Sequence, residues 1–75
     1  MRFYTRVLMA EEPETYSEAE ADELRSTIAS APGLEEIIKV SKNFKGGYDV
    51  AVDLSNSSEE SFLEFLWRAG YRPAI

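Results

Sequence analysis

Arg2 and Arg6 stand four residues apart, and so do Asp49 and Asp53. In neighbouring antiparallel strands that spacing sets Arg2 opposite Asp53 and Arg6 opposite Asp49. Exposed pairs of this kind contribute at most about 1 kcal/mol each, so their use is to fix register. Proton transfer has a poorer inventory. The chain has no His and no Cys, which leaves carboxylates and tyrosines as acid and base, and no pair of them has a distinguishing spacing. A transition metal would have to be held by carboxylates alone, and no phosphate-binding glycine loop is present. No catalytic, cofactor-binding or metal residue is therefore assigned. Recognition chemistry is better supplied. Leu63 and Trp67, four apart, form a ridge with Arg68 and Tyr71 beside it, suited to anchoring a partner protein. The same ridge would also pack well on a neighbouring helix lined with small residues.

The elements that position these residues are set by hydrophobic period. Arg2 to Ala10 alternates, with Phe3, Val7 and Met9 on one side and Arg2, Tyr4, Arg6 and Leu8 on the other, as in a strand with one buried face. Pro13 prevents its continuation. Ser17 and Glu20 have the spacing of a capping box, and Ala21, Leu24, Ile28 and Ala31 then make a narrow helical stripe that ends at Pro32-Gly33. Leu34 to Phe44 reads as a second strand, with Ile38, Val40 and Phe44 in phase and Ile37 out of phase. Lys42 falls on the Val40 side, which requires an early end or a bulge.

Lys45-Gly46-Gly47 supplies a tight turn. Tyr48, Val50, Val52 and Leu54 then alternate with Asp49, Ala51 and Asp53 in the cleanest strand of the chain. Ser57 and Glu60 repeat the capping-box spacing before a helix from about Ser58 to Ala69, which Gly70 ends. Phe62, Phe65, Leu66 and Ala69 form its core stripe. Tyr71 to Ile75 suffices for a short edge strand that tolerates Pro73. This order predicts an α+β fold, a ferredoxin-like βαββα(β) plait: an antiparallel sheet with two helices on one face and the first and third strands side by side at its centre. Tyr4, Leu8, Ile37 and Ala51 would give the open sheet face a partly apolar character suited to sheet-to-sheet pairing.

With 75 residues the chain is one domain near the lower limit of independent stability, a size at which a partner helps. Its net charge of -6 is concentrated: Glu11, Glu12, Glu14, Glu18, Glu20, Asp22 and Glu23 include no Lys or Arg among them, which disfavours direct nucleic-acid binding. That run reads as a solvated face or as a surface for a basic partner. Met1 to Arg6 alternates charged and apolar residues and holds no run long enough for a signal peptide or membrane span, so a cytoplasmic location is expected.

Ala31-Pro32-Gly33-Leu34, Val40-Ser41-Lys42-Asn43, Gly47-Tyr48-Asp49-Val50-Ala51-Val52 and Ser58-Glu59-Glu60-Ser61-Phe62 together resemble the stress-responsive A/B barrel domains of the dimeric α+β barrel superfamily. The resemblance implies two subunits packed through their open sheet faces and, as in some members, a small molecule held between sheet and helices. The family's first-strand histidine is missing, and its Tyr and His-Pro cluster after the second helix is replaced by Leu66 to Arg72, so cyclase chemistry would lose its general base. Ala69-Gly70-Tyr71 also looks like the last loop of heavy-metal-associated domains, whose cysteine pair is absent.

Three functions are therefore weighed. The leading one is a small non-catalytic protein-protein interaction module, self-associating as a homo-oligomer, with Trp67, Leu63, Arg68, Tyr71, Tyr4 and Leu8 as its contact residues. The second is a small-molecule-binding or cyclase-like A/B barrel protein, favoured by a pocket walled by Phe3, Tyr48 and Phe62. The third is an acidic inhibitor, of the kind phages encode, aimed at a host nucleic-acid-binding protein.

Overall fold

The computed structural model describes residues 1–9 and 18–74, the side chains of Met9 and Ala74 excepted. The elements are β1 (Arg2–Met9), α1 (Glu18–Ile28), β2 (Leu34–Lys42), β3 (Tyr48–Leu54), α2 (Glu59–Arg68) and β4 (Tyr71–Ala74). The strands form one four-stranded sheet in the order β2-β3-β1-β4, every neighbouring pair antiparallel. The architecture is α+β, with β1 and β3 at the centre. The tail is a true fourth strand, four residues long, in which Pro73 lies opposite Val7.

Period-two alternation in β3 carries the core. Tyr48, Val50, Val52 and Leu54 are buried, and with Val7 and Val40 they meet Ala21, Leu24, Ile28 and Ala31 from the first helix and its end, and Phe62 and Leu66 of α2. Phe3 packs its ring edge-on to Phe62 at 5.9 Å between centroids. The stripe read for the first helix is thus the buried one. Its Ser17 cap lies outside the described residues, as does the acidic run from Glu11 to Glu14.

β2 departs from the expected phase. Register shifts interrupt its pairing with β3 between Leu34 and Glu36 and between Ile37 and Lys39. Each inserts a residue and turns the next side chains to the other face. Ile37, opposite Val52, therefore turns inward against the core instead of onto the open face, and Ile38 is exposed. The strand ends at Lys42, so Phe44 belongs to the turn and is 89% exposed rather than in phase with the core.

The start of α2 differs as well. Ser57 has a φ of 64°, outside the conformation of a capping residue, and Ser58 occupies the cap position. Its hydroxyl is paired with that of Ser55 at 2.7 Å and makes no bond to the helix backbone, so the Ser57–Glu60 capping box does not form. Ala69, expected in the core stripe, lies beyond the last helical residue and is exposed.

Gly47 and Gly70 both have positive φ, at 74° and 95°, but in different surroundings. A Cβ on Gly47 would meet the Val7 carbonyl oxygen and the Leu8 side chain, whereas one on Gly70 would meet nothing within 4 Å. Gly70→Ala should therefore cost about 1 to 2 kcal/mol, the conformational penalty alone. Gly47→Ala should cost about 2 to 5 kcal/mol, since overpacking against backbone is added. Urea unfolding of the two variants measures the difference, and equal losses would show that the approach of β1 to the turn is not tight.

Candidate functional site

The open sheet face is built from the outward residues of four strands. Three cross-strand rows are set by the register: Glu36–Asp53–Arg2, Lys39–Ala51–Tyr4 and Ser41–Asp49–Arg6, with Leu8 and Arg72 paired beyond them. Ala51 is only 4% exposed although it points away from the helices, because Tyr4 and Lys39 rise on either side of it. It forms the floor of a groove of about 480 Å³ whose walls include Tyr4, Lys39, Arg6 and Asp49. Tyr4 itself is 65% exposed, and Leu8 is half-buried.

Both Arg–Asp pairings expected from spacing are present as register, but only one is an ion pair. Arg2 Nε donates to Asp53 Oδ1 at 2.8 Å, and this hydrogen bond and charge hold the guanidinium above its ordinary pKa. Arg6 lies opposite Asp49 but is spent elsewhere: Nε donates to the Gly46 carbonyl and Nη2 to that of Lys45, each at 2.9 Å. Asp49 instead accepts from Asn43 Nδ2 at 2.9 Å. The competing acceptors are turn carbonyls, which no side-chain pattern reveals.

The α2 ridge is divided. Phe65 on one flank shares a groove with Pro32, Ser61, Glu64 and Arg68, so that flank faces the loop leaving the first helix. Leu63 and Trp67 are each two positions from Phe65, about 200° round the helix, and lie on the other flank. Leu63 is half-buried and Trp67 is 58% exposed, so Trp67 does not pack on the first helix. Arg68 is exposed and holds Glu64 at 2.6 Å. Tyr71, opposite Met9 in β4, packs partly against the core. The six expected contact residues are thus not brought together: Tyr4 and Leu8 lie on the open face, Leu63 and Trp67 on one flank of α2, Arg68 on the Phe65 flank, and Tyr71 is largely structural. Phe44 escapes sequence reasoning as a surface residue because the bulges of β2 leave no periodic sign of where that strand stops.

Between sheet and α1 the core is packed, and at its margin toward β2 a cleft of about 430 Å³ is lined by Glu18, Ala21 and Arg25 on one side and Val40, Ser41, Lys42 and Tyr48 on the other. Tyr48 is fully buried, and burial, then the charge and hydrogen bond of Glu20, push its phenol above the ordinary value of 10.0. Tyr71 is pushed up by burial, opposed by a hydrogen bond with Thr27 and reinforced by Glu23 and Glu20. Among the described residues no group of acidic side chains has the arrangement of a metal site, and no helix is long and apolar enough to cross a membrane. No protein-family model matches the chain, and neither the curated proteins nor the solved structures include one significantly similar to it.

Folding favours the protonated form of both phenols, so their contribution to stability is intact below about pH 10 and is lost as pH rises through their raised folded values. Thermal melts followed by circular dichroism between about pH 8 and about pH 11 should show this alkaline loss. Tyr48→Phe combined with Tyr71→Phe should flatten the profile. An unchanged slope in the double variant would show that the two phenols do not carry the loss.

Proposed function

We propose that this chain is a non-catalytic interaction module of the ferredoxin-like plait type, and that it self-associates through its open sheet face. The element order and the β2-β3-β1-β4 sheet support the plait. The observation that carries the self-association is the charge of that face. In a chain of net charge -6, Arg2, Arg6, Lys39 and Arg72 nearly balance Glu36, Asp49 and Asp53 there. Two copies can therefore approach through this face without the repulsion that the acidic remainder of the molecule imposes. The exposed Tyr4 beside the Ala51 groove supplies the apolar area to be buried.

The core favours a module over a small-molecule binder. The expected ligand pocket, walled by Phe3, Tyr48 and Phe62, is closed, since Phe62 and Tyr48 are fully buried and Phe3 is in contact with Phe62; the cleft that Tyr48 does border, beside Glu18, Arg25 and Lys42, is bounded largely by charged side chains. Face-to-face pairing of the A/B barrel type remains compatible with the proposal, and it needs none of the missing histidines. Asp49 and Asp53 on the central strand set the face against phosphate. The exposed Trp67 favours a second contact on α2, to a different protein, with Leu63 on the same flank.

Light scattering and sedimentation at micromolar concentration should give a dimer, and Tyr4→Asp should shift it to monomer. A species of 8.5 kDa at every concentration would rule out self-association. Trp67→Ala should lower stability by about 1 kcal/mol or less, the ordinary effect of an exposed position. A loss of about 3 to 5 kcal/mol in its thermal melt would instead place the indole in the core and remove the α2 contact.

A further inference from the structure

The turn between β2 and β3 combines two features that rarely occur together in a surface loop: its backbone is tied down, and its largest side chain is in water. Asn43 N–H donates to the Gly47 carbonyl and Gly46 N–H to the Asn43 carbonyl, both at 3.0 Å. Asn43 Oδ1 accepts from Lys45 N–H at 2.8 Å while its Nδ2 reaches Asp49. Arg6 grips the Lys45 and Gly46 carbonyls from the open sheet face. Phe44 nevertheless stands 89% exposed, with Lys45 beside it, whose Nζ lies 5.7 Å from the ring centroid.

An ordered loop loses little entropy when its side chain is captured, so the fixed turn presents Phe44 as a preorganised knob. The tethers also place the turn. Arg6 and Asp49, which hold it, are themselves walls of the groove floored by Ala51. The turn that carries the knob thus adjoins the groove, separated from it along the strands by the residues from Ala51 to Tyr48, about 10 Å at ~3.3 Å per residue, plus the height of the turn. The groove, about 480 Å³ and largely apolar, is ample for one aromatic ring. A surface carrying both a knob and a hole is self-complementary about a two-fold axis lying between them.

We propose that Phe44 of each copy inserts into the Tyr4–Ala51–Lys39 groove of a second copy, as the anchor of the dimer. This rests on the self-association proposed above and adds the residue that locks it and the site it enters. The partner is a second copy rather than an unrelated protein or a lipid surface because this chain's own nearly neutral open face carries a groove of fitting size next to the turn. A single aromatic with a few lysines on an acidic chain makes a weak membrane anchor. The two-fold arrangement places the two Arg6-tethered turns at opposite ends of the contact.

The test uses the full chain, whose lack of cysteine makes introduced thiols unique. Phe44→Ser should leave the circular dichroism spectrum of the folded chain unchanged and raise the dimer dissociation constant by about tenfold or more, measured by sedimentation equilibrium. Lys45→Cys and Lys39→Cys proteins, mixed under mild oxidation, should form a mixed disulfide in preference to either homodisulfide. A wild-type dimer that Phe44→Ser leaves intact, with no preferred mixed disulfide, would overturn the Phe44 anchor while leaving the open-face dimer standing. A wild-type monomer at all concentrations would overturn both. Binding of that monomer to phosphatidylserine vesicles, lost in Phe44→Ser, would overturn the anchor by assigning the tip to a lipid surface.

Discussion

A one-residue slip of β3 against its neighbours would carry Asp49, Ala51 and Asp53 into the core and put Tyr48, Val50, Val52 and Leu54 in water. Because β3 is flanked by β1 and β2, that single register sets the alignment of both central pairings. It is held at each end. At one end the Met1 ammonium donates to the Leu54 carbonyl and Arg2 pairs with Asp53. At the other, Gly47 lets the turn lie against Val7 and Leu8, where any side chain would push it away. The outward rows that make the open face a surface depend on the same alignment, since Ala51 can floor a groove only while Tyr4 and Lys39 stand directly beside it.

Arg6 joins this register to the turn. An exposed ion pair with Asp49 would contribute little, and two charge-assisted hydrogen bonds to backbone carbonyls contribute more. Asp49 in turn is free to hold Asn43. The result is an exchange of partners that stiffens the turn, and with it the position of Phe44. Preorganisation of the surface thus derives from a residue whose sequence spacing suggested only cross-strand pairing.

The sequence made legible those features that depend on regular period. The alternation of β1 and β3, the helical stripe from Ala21 to Ala31, and the central placement of β1 beside β3 all come from short-range pattern and handedness. The exposure of Tyr4 was legible for the same reason. The features that escaped were irregular. Two bulges in β2 reversed the facing of Ile37 and Ile38 and left Phe44 outside the strand. A bulge is stabilised by its tertiary setting and leaves no reliable trace in hydrophobic order. Ser57 failed as a cap because its backbone is left-handed, and Ser58 turned its hydroxyl to Ser55 under Gly33, a contact between loops distant in sequence. For the α2 ridge, period showed that Leu63 and Trp67 lie together, but only the groove shared by Pro32 and Phe65 showed which flank faces the loop after the first helix.

The sheet edges offer little to strand pairing. β2 is interrupted by two register shifts and carries Glu35, Glu36, Lys39 and Lys42, while β4 is four residues long and includes Pro73, which has no N–H to offer another strand. Both devices oppose strand addition. The helix side of the sheet is consumed by the core, and the acidic excess repels a like molecule wherever it is exposed. The open face remains, with charges nearly in balance, an apolar floor in Ala51 and an aromatic at its rim. A domain of this size has little stability to spare, yet it holds a phenylalanine in water on a braced turn. That exposure is tolerable in a monomer only as a standing cost, and it becomes favourable once a groove of matching size covers the ring.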